Sequence, residues 1–229
     1  MDVSILTLFP EAVEAYLGVS ILKIAARKGL ASYEVIDIRS FAEGRHRQVD
    51  DRPFGGGPGM LLMPGPVVSA VEEVRTRHHP DSVTVLLTPQ GRRFDQEVAT
   101  NLAGKPGLVL LCGRYEGFDE RVREVLNPME ISIGDYVLSG GEIPAMAVTE
   151  AVVRLLPGVL GDQESAQDDS FANGLLEGPQ YTRPRVFRGF EVPEILLSGD
   201  HGAIDEWRRR AAEARTRTRR ADLLERKSG

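Results

Sequence analysis

Short apolar runs alternating with amphipathic stretches organise the first 160 residues. Val3 to Phe9 reads as a strand, and Tyr33 to Ile38 alternates as a half-covered strand does. Val83 to Leu87 and Leu108 to Cys112 are unbroken apolar runs of strand length, the pattern of strands covered on both faces. Met129 to Ile133 is a shorter strand of the same kind. Between these runs, Ile21 to Arg27, residues 64–76, Phe94 to Leu102, Phe118 to Val125 and Pro144 to Leu156 have helical character. Gly29 closes the first of these helices, and Pro157 stops the last. Strands alternating with helices predict an α/β domain with a mainly parallel sheet over residues 1–160.

The pattern changes after Leu160. GDQESAQDDSFANG (161–174) is polar, small and acidic, and reads as a flexible linker or functional loop. Residues 175–229 read as a second, small, basic and mostly helical domain. Ile204 and Trp207 stand three apart, so one face of that helix is built to dock.

Charge adds to this division. The chain carries a net −6, which argues against a non-specific nucleic-acid binder. Residues 171–229, however, hold twelve Lys/Arg against nine Asp/Glu, whereas the rest holds sixteen against twenty-five. Arg208, Arg209, Arg210, Arg215, Arg217, Arg219 and Arg220 crowd one stretch. This is either a solvated helix surface or a face that contacts phosphates. No apolar run approaches the length of a membrane span, and no signal peptide is expected at the N-terminus. The single cysteine, Cys112, excludes an internal disulfide and suits a cytoplasmic protein.

Three loops follow three apolar strands: Thr88 to Gly91, Gly113 to Gly117, and Gly134 to Gly141. In parallel α/β sheets, ligands bind beyond the carboxyl ends of strands. Glycine in such loops lets backbone approach a ligand, so a side chain at Gly113 or Gly140 is expected to fill ligand space. A fourth loop, Asp50 to Met60, contains Gly55, Gly56, Gly57 and Gly59. It lacks the Lys-Ser/Thr of a P-loop, and Met60 breaks the G-x-G-x-x-G spacing. It suits the approach of a flat base or a nucleic-acid backbone. His46, His78, His79, His201 and Cys112 have no zinc-ligand spacing. Cys112 lies on an apolar strand, as a buried inert thiol does. Asp168, Asp169 and Arg154 are by themselves a solvated acidic pair and a cation at a helix end.

DDRPFGGGPGM, LTPQGRRF, LCGRYEGFDERV, SIGDYVLSGGE, DDSF, YTRP and LLSGDH occur in order over nearly the whole chain. Together they resemble the bacterial tRNA (guanine-N1)-methyltransferase family, which modifies guanine at tRNA position 37. The resemblance implies a SPOUT-type α/β domain whose last part is threaded into a deep trefoil knot, a rare exception to ordinary topology. It also implies an obligate homodimer with each site built across the interface, and a basic C-terminal domain that grips tRNA.

The resemblance further assigns roles to individual residues. S-adenosylmethionine is expected to contact Pro89, Gln90, Gly113, Tyr115, Ile133, Gly134, Tyr136, Leu138, Gly140 and Gly141. Asp135, Val137 and Pro144 belong to the same segment, and Glu116 is an acidic contributor near the pocket. Asp169 falls where the family places a general base, and Arg154 where it places a cation near guanine O6. Asp50, Gly55, Gly56, Gly57, Gly59, Arg208, Arg209 and Arg210 are the expected tRNA-binding residues. The family is associated with Mg²⁺, for which no residue pattern locates a site. Two other readings share features with this one. A knotted ribose 2′-O-methyltransferase would use the same cofactor, and a non-catalytic RNA-binding protein would not need it.

Overall fold

In the computed structural model, which describes residues 1–161 and 169–225, the chain divides into two compact units, Met1–Gly161 and Asp162–Gly229. The first is built on a five-stranded sheet in the order β2-β1-β6-β5-β7. Its strands are β1 (Asp2–Thr7), β2 (Ser32–Asp37), β5 (Val83–Arg93), β6 (Gly107–Cys112) and β7 (Met129–Ser132). Every neighbouring pair is parallel, as the alternation of strands and helices predicts.

Helices cover both faces. On one side α1 (Pro10–Leu17), α2 (Ser20–Arg27), α4 (Gln96–Ala103) and α6 (Glu142–Val153) bury Val13, Leu22, Leu102 and Val148 against Val3, Ile5, Val85, Leu108 and Leu110. On the other, α3 (Pro64–Arg77) and α5 (Arg121–Leu126) bury Val67, Val71, Val74 and Val122 against Leu6, Leu86, Val109 and Leu111. Successive strand residues therefore feed opposite layers, which is why β6 is apolar at every position.

The elements differ from expectation in instructive places. The first strand stops at Thr7, and α1, which sequence patterning passed over, begins at Pro10. Its signals were present: proline in the first turn, and Val13 and Leu17 four apart on the buried face. The fifth strand does not end at Leu87. It runs on to Arg93 with a register shift against β7 between Leu87 and Arg92, so the expected Thr88 to Gly91 loop is an interruption within a strand. The helix expected from Phe118 begins only at Arg121. A two-residue antiparallel pair, β3 (Asp50–Asp51) with β4 (Leu61–Leu62), frames the glycine-rich loop.

In the second unit, α7 (His201–Arg219) and α8 (Asp222–Glu225) are helical. A β8 (Val186–Phe187) and β9 (Phe190–Glu191) hairpin precedes them. Half of the expected linker, residues 162–168, lies outside the described residues. Residues 169–178 form hydrogen-bonded turns against α7: Phe171 N donates to Leu175 O at 2.7 Å, and Leu176 N to Thr216 Oγ1 at 2.9 Å. The Arg215 guanidinium donates to the carbonyls of Glu177 and Gly178. Ile204 is buried, and Trp207 packs with Tyr181 at 6.4 Å between ring centroids.

Candidate functional site

The carboxyl ends of β5, β6 and β7 open into a cleft of about 390 Å³, within the range of small-molecule pockets. It lies at a topological switch, because α4 after β5 and α5 after β6 cover opposite faces of the sheet. Pro89 and Gln90 wall it from the interruption in β5. Gly113, Tyr115 and Glu116 reach it from the loop after β6. Ile133, Gly134, Tyr136, Val137, Leu138, Gly140 and Gly141 reach it from the loop after β7, and Pro144 from α6. Asp135 does not line it. Tyr136 N donates to Gly134 O at 3.0 Å, closing a tight turn around Asp135, which is exposed.

Two of these loops are joined edge to edge. Gly141 N donates to Gly113 O at 2.9 Å, and Arg114 and Gly140 form an isolated antiparallel bridge. Closeness here explains the glycines. A Cβ on Gly141 would stand 2.6 Å from Cys112 Cα and 2.8 Å from Gly113 N, atoms that cannot move aside. A Cβ on Gly140 would strike the Arg114 and Glu142 side chains, and one on Gly113 would meet the Phe118 ring at 3.0 Å. Gly113 and Gly140 thus make room for protein packing in the wall of the cleft that they line. Tyr115 is held with φ +58°, a left-handed conformation uncommon for a bulky residue.

Arg114 and Glu142 form a partly buried ion pair beside the cleft that sequence patterning missed. The carboxylate of Glu142, only 4% exposed, receives a 2.7 Å hydrogen bond from Thr7 Oγ1. The Arg114 Nε lies 3.2 and 3.1 Å from its two oxygens. Arg114 also lies over the Phe9 ring, 4.3 Å from its centroid, a cation–π contact. Phe9, Arg114, Tyr115, Glu116 and Ser139 line a second cavity of about 290 Å³. Burial pushes the Cys112 thiol well above its ordinary range, and the Glu142 charge adds to this, so the thiol stays protonated and inert.

Arg123 was likewise unforeseen. It lines the cleft, pairs with Glu120 and Glu130 at 3.0 Å each, and donates to Gln90 Oε1 at 3.5 Å. That contact turns the Gln90 carboxamide, leaving its NH2 group to serve as a donor.

The glycine-rich hairpin is tied to the same wall. Glu116 N donates to Met60 O at 3.0 Å, Leu62 N to Gly117 O at 2.8 Å, and Asp119 N to Leu62 O at 3.0 Å. Gly59 packs against the Glu116 side chain so closely that a Cβ would overlap it. Asp50, Gly55, Gly56 and Gly57 do not line the cleft. The last three have positive φ and open space where a side chain would stand.

Arg154 caps the carboxyl end of α6 in the first unit. Asp169 opens the turns of the second, its carbonyl accepting from Ala172 N at 3.2 Å. In α7, Arg208 pairs with Asp205, Arg209 with Glu206 and Glu213, and Arg210 with Glu206, all on exposed surface. The arginine cluster is therefore interleaved with acidic partners one turn away. Among the described residues, no three His, Cys, Asp or Glu side chains gather as a metal site, and no helix is long and apolar enough to cross a membrane.

Residues 1–226 match the family described as tRNA (Guanine-1)-methyltransferase TrmD. A tRNA (guanine-N(1)-)-methyltransferase of Desulforudis audaxviator is 56% identical over 225 residues, covering 98% of this chain and 90% of that protein. Proteins of the same name from Staphylococcus epidermidis and Geobacillus kaustophilus are 53% and 54% identical, covering 98% of this chain and 91% and 92% of their own lengths.

Proposed function

The chain belongs to the tRNA (guanine-1)-methyltransferase family, and from that premise we propose that it moves a methyl group from S-adenosylmethionine to N1 of guanine 37 in tRNA, working in the cytoplasm. The observation that carries this reading is the cleft at the ends of β5, β6 and β7, lined by the interruption in β5 and by two loops distant in sequence that bond to one another. Its backbone amides and carbonyls suit the edge of an adenine, and the Gln90 carboxamide adds a donor. Gly113, Tyr115, Ile133, Gly134, Tyr136, Leu138, Gly140 and Gly141 would hold the cofactor, with Pro89, Val137 and Pro144 as apolar walls. When bound, the cofactor supplies a methyl group already activated on a sulfonium.

The trefoil knot is part of the same proposal. The segment after β7 returns to bond with Gly113. At Gly91 a Cβ would lie 2.5 Å from Glu130 C, so β7 passes tightly against the interrupted part of β5. The return of the segment after β7 to the loop after β6 is what supports a knotted path.

The remaining task falls to side chains. Guanine N1 bears a proton and is a poor nucleophile. The Asp169 carboxylate takes that proton, the freed charge delocalises onto O6, and the Arg154 guanidinium stabilises it there. A homodimer fits the surface. Val137, which lines the cleft, is 84% exposed, and Ile143 in α6 is 57% exposed. Apolar residues surround α6, as in helices covered on all sides. Arg208, Arg209 and Arg210, released from their acidic partners, meet phosphates of the tRNA.

Incubating the protein with unmodified tRNA and isotope-labelled S-adenosylmethionine, then digesting the RNA, tests the reading. Mass spectrometry should find label on the base of guanosine 37. Label on a ribose would favour the 2′-O-methyltransferase, and an unlabelled tRNA that nonetheless binds would favour a non-catalytic protein.

A further inference from the structure

The side chain of Phe54 is 99% exposed at the tip of the glycine-rich loop, more than any other large apolar residue among those described. Its position is built. Gly56 N donates to Pro53 O at 3.3 Å, and Gly55 has φ +85°. This is a hydrogen-bonded turn with proline at its start and glycine where φ must be positive, so Phe54 occupies the outward corner. The base of the loop is fastened to the cleft wall through Met60, Leu62 and residues 116–119. A phenyl ring left in water is less favourable than a covered one. The residues beside it are Arg52, Pro53 and three glycines with no atom within 4 Å of where a side chain would start.

From this arrangement we propose that Phe54 is a stacking platform for an unpaired nucleobase of the tRNA, next to the base that enters the cleft. The inference rests on the tRNA-methyltransferase reading. A phenyl ring stacks on any base, because every base has a π face and the ring has no polar group that reads edges. Gly55, Gly56 and Gly57 leave a floor without side chains, so a flat base can lie on the ring and reach backbone amides. Arg52 supplies a cation for the adjoining phosphate. A protein partner would be expected to find further large apolar side chains around such an anchor, and Arg52, Pro53 and the three glycines supply none. Holding a neighbouring base would keep the anticodon loop splayed and the target guanine unstacked.

The test compares Phe54→Ala, Phe54→Tyr and the wild type with an unmodified anticodon stem-loop RNA. In a second RNA, 2-aminopurine replaces the base beside the target guanine. Phe54→Ala should bind RNA about 5- to 150-fold more weakly, with an unchanged salt slope because no phosphate contact is lost. Phe54→Tyr should bind within a few-fold of wild type. The 2-aminopurine fluorescence should be quenched by wild type and Tyr but not by Ala. Cofactor affinity by calorimetry and oligomeric mass should be the same in all three. Wild-type RNA affinity and quenching in Phe54→Ala would overturn the platform. A fall in oligomeric mass would instead make Phe54 a contact between copies of the chain, and a loss of cofactor affinity would make it a cover for the cleft. Methylation of guanine N1 by the wild type, measured in parallel, decides the underlying reading separately.

Discussion

Thr7 and Glu142 are 135 residues apart in sequence, yet the threonine hydroxyl donates a 2.7 Å hydrogen bond to the buried carboxylate. The same carboxylate holds Arg114, which is 27% exposed at the cleft. Glu142 therefore joins the end of β1, the loop after β6 and the start of α6. Glu142→Gln should keep the shape but leave Arg114 without its counter-charge, costing about 1–3 kcal/mol of stability and weakening cofactor binding. Thr7→Val should lose less. Urea melts of the two variants and the double variant should give a coupling energy of about 0.5–3 kcal/mol. Strict additivity would mean that the contact joins nothing.

The glycines of the cleft should differ in tolerance. At Gly141 a methyl group meets backbone at 2.6 and 2.8 Å, whereas at Gly113 it meets the edge of the Phe118 ring at 3.0 Å. A ring can tilt, but crossed backbones cannot separate. Gly141→Ala should abolish cofactor binding or folding, and Gly113→Ala should weaken binding only modestly. Circular dichroism with calorimetry reads both, and equal effects would refute this account of the packing.

Stability should fall on the alkaline side. The ordinary thiol value is 9.0, and in the folded protein Cys112 lies well above it because it is buried. Tyr33, its hydroxyl donating to Leu22 O at 3.1 Å, is pushed up by burial from 10.0 to about 12. Below pH 9 both states keep the thiol proton and nothing is lost. Above it the unfolded chain releases the proton and the native state does not, so stability drops by up to about 1.4 kcal/mol per pH unit for Cys112. Cys112→Ala should flatten the slope between pH 9 and 10, and Tyr33→Phe the part above 10. A melting temperature that is constant from pH 8 to 11 would contradict both shifts.

Asp169→Asn should slow single-turnover methyl transfer roughly 10²–10⁴-fold while tRNA and cofactor still bind. If the base serves a neighbouring subunit, a Gly113→Trp chain and an Asp169→Ala chain, each inactive alone, should complement. Random mixing with two-fold symmetry gives one intact site in half of the dimers, roughly a quarter of wild-type activity. Confirmed mixed dimers without activity would place Asp169 at its own chain's cleft.

By itself the sequence determined the class of sheet and the type of most elements of the first unit, α1 excepted. Leu108 to Cys112 reads as a strand covered on both faces because its run of apolar residues offers no polar side, and the structure buries every position of Gly107–Cys112. Ordered motifs also carried the family, which the match over residues 1–226 bears out. The strand order β2-β1-β6-β5-β7 was decided by tertiary structure, as were the continuation of β5 past Leu87 and the pairing of Gly141 with Gly113. The pairing of the arginines at 208–210 needs only the helix itself, because their partners stand three or four residues away on the same helix face. Hydrophobic periodicity records whether a face is covered, but not which element covers it. A bond such as that from Thr7 to Glu142 leaves no local trace, since each residue alone is an ordinary polar side chain and only folding brings them within 2.7 Å.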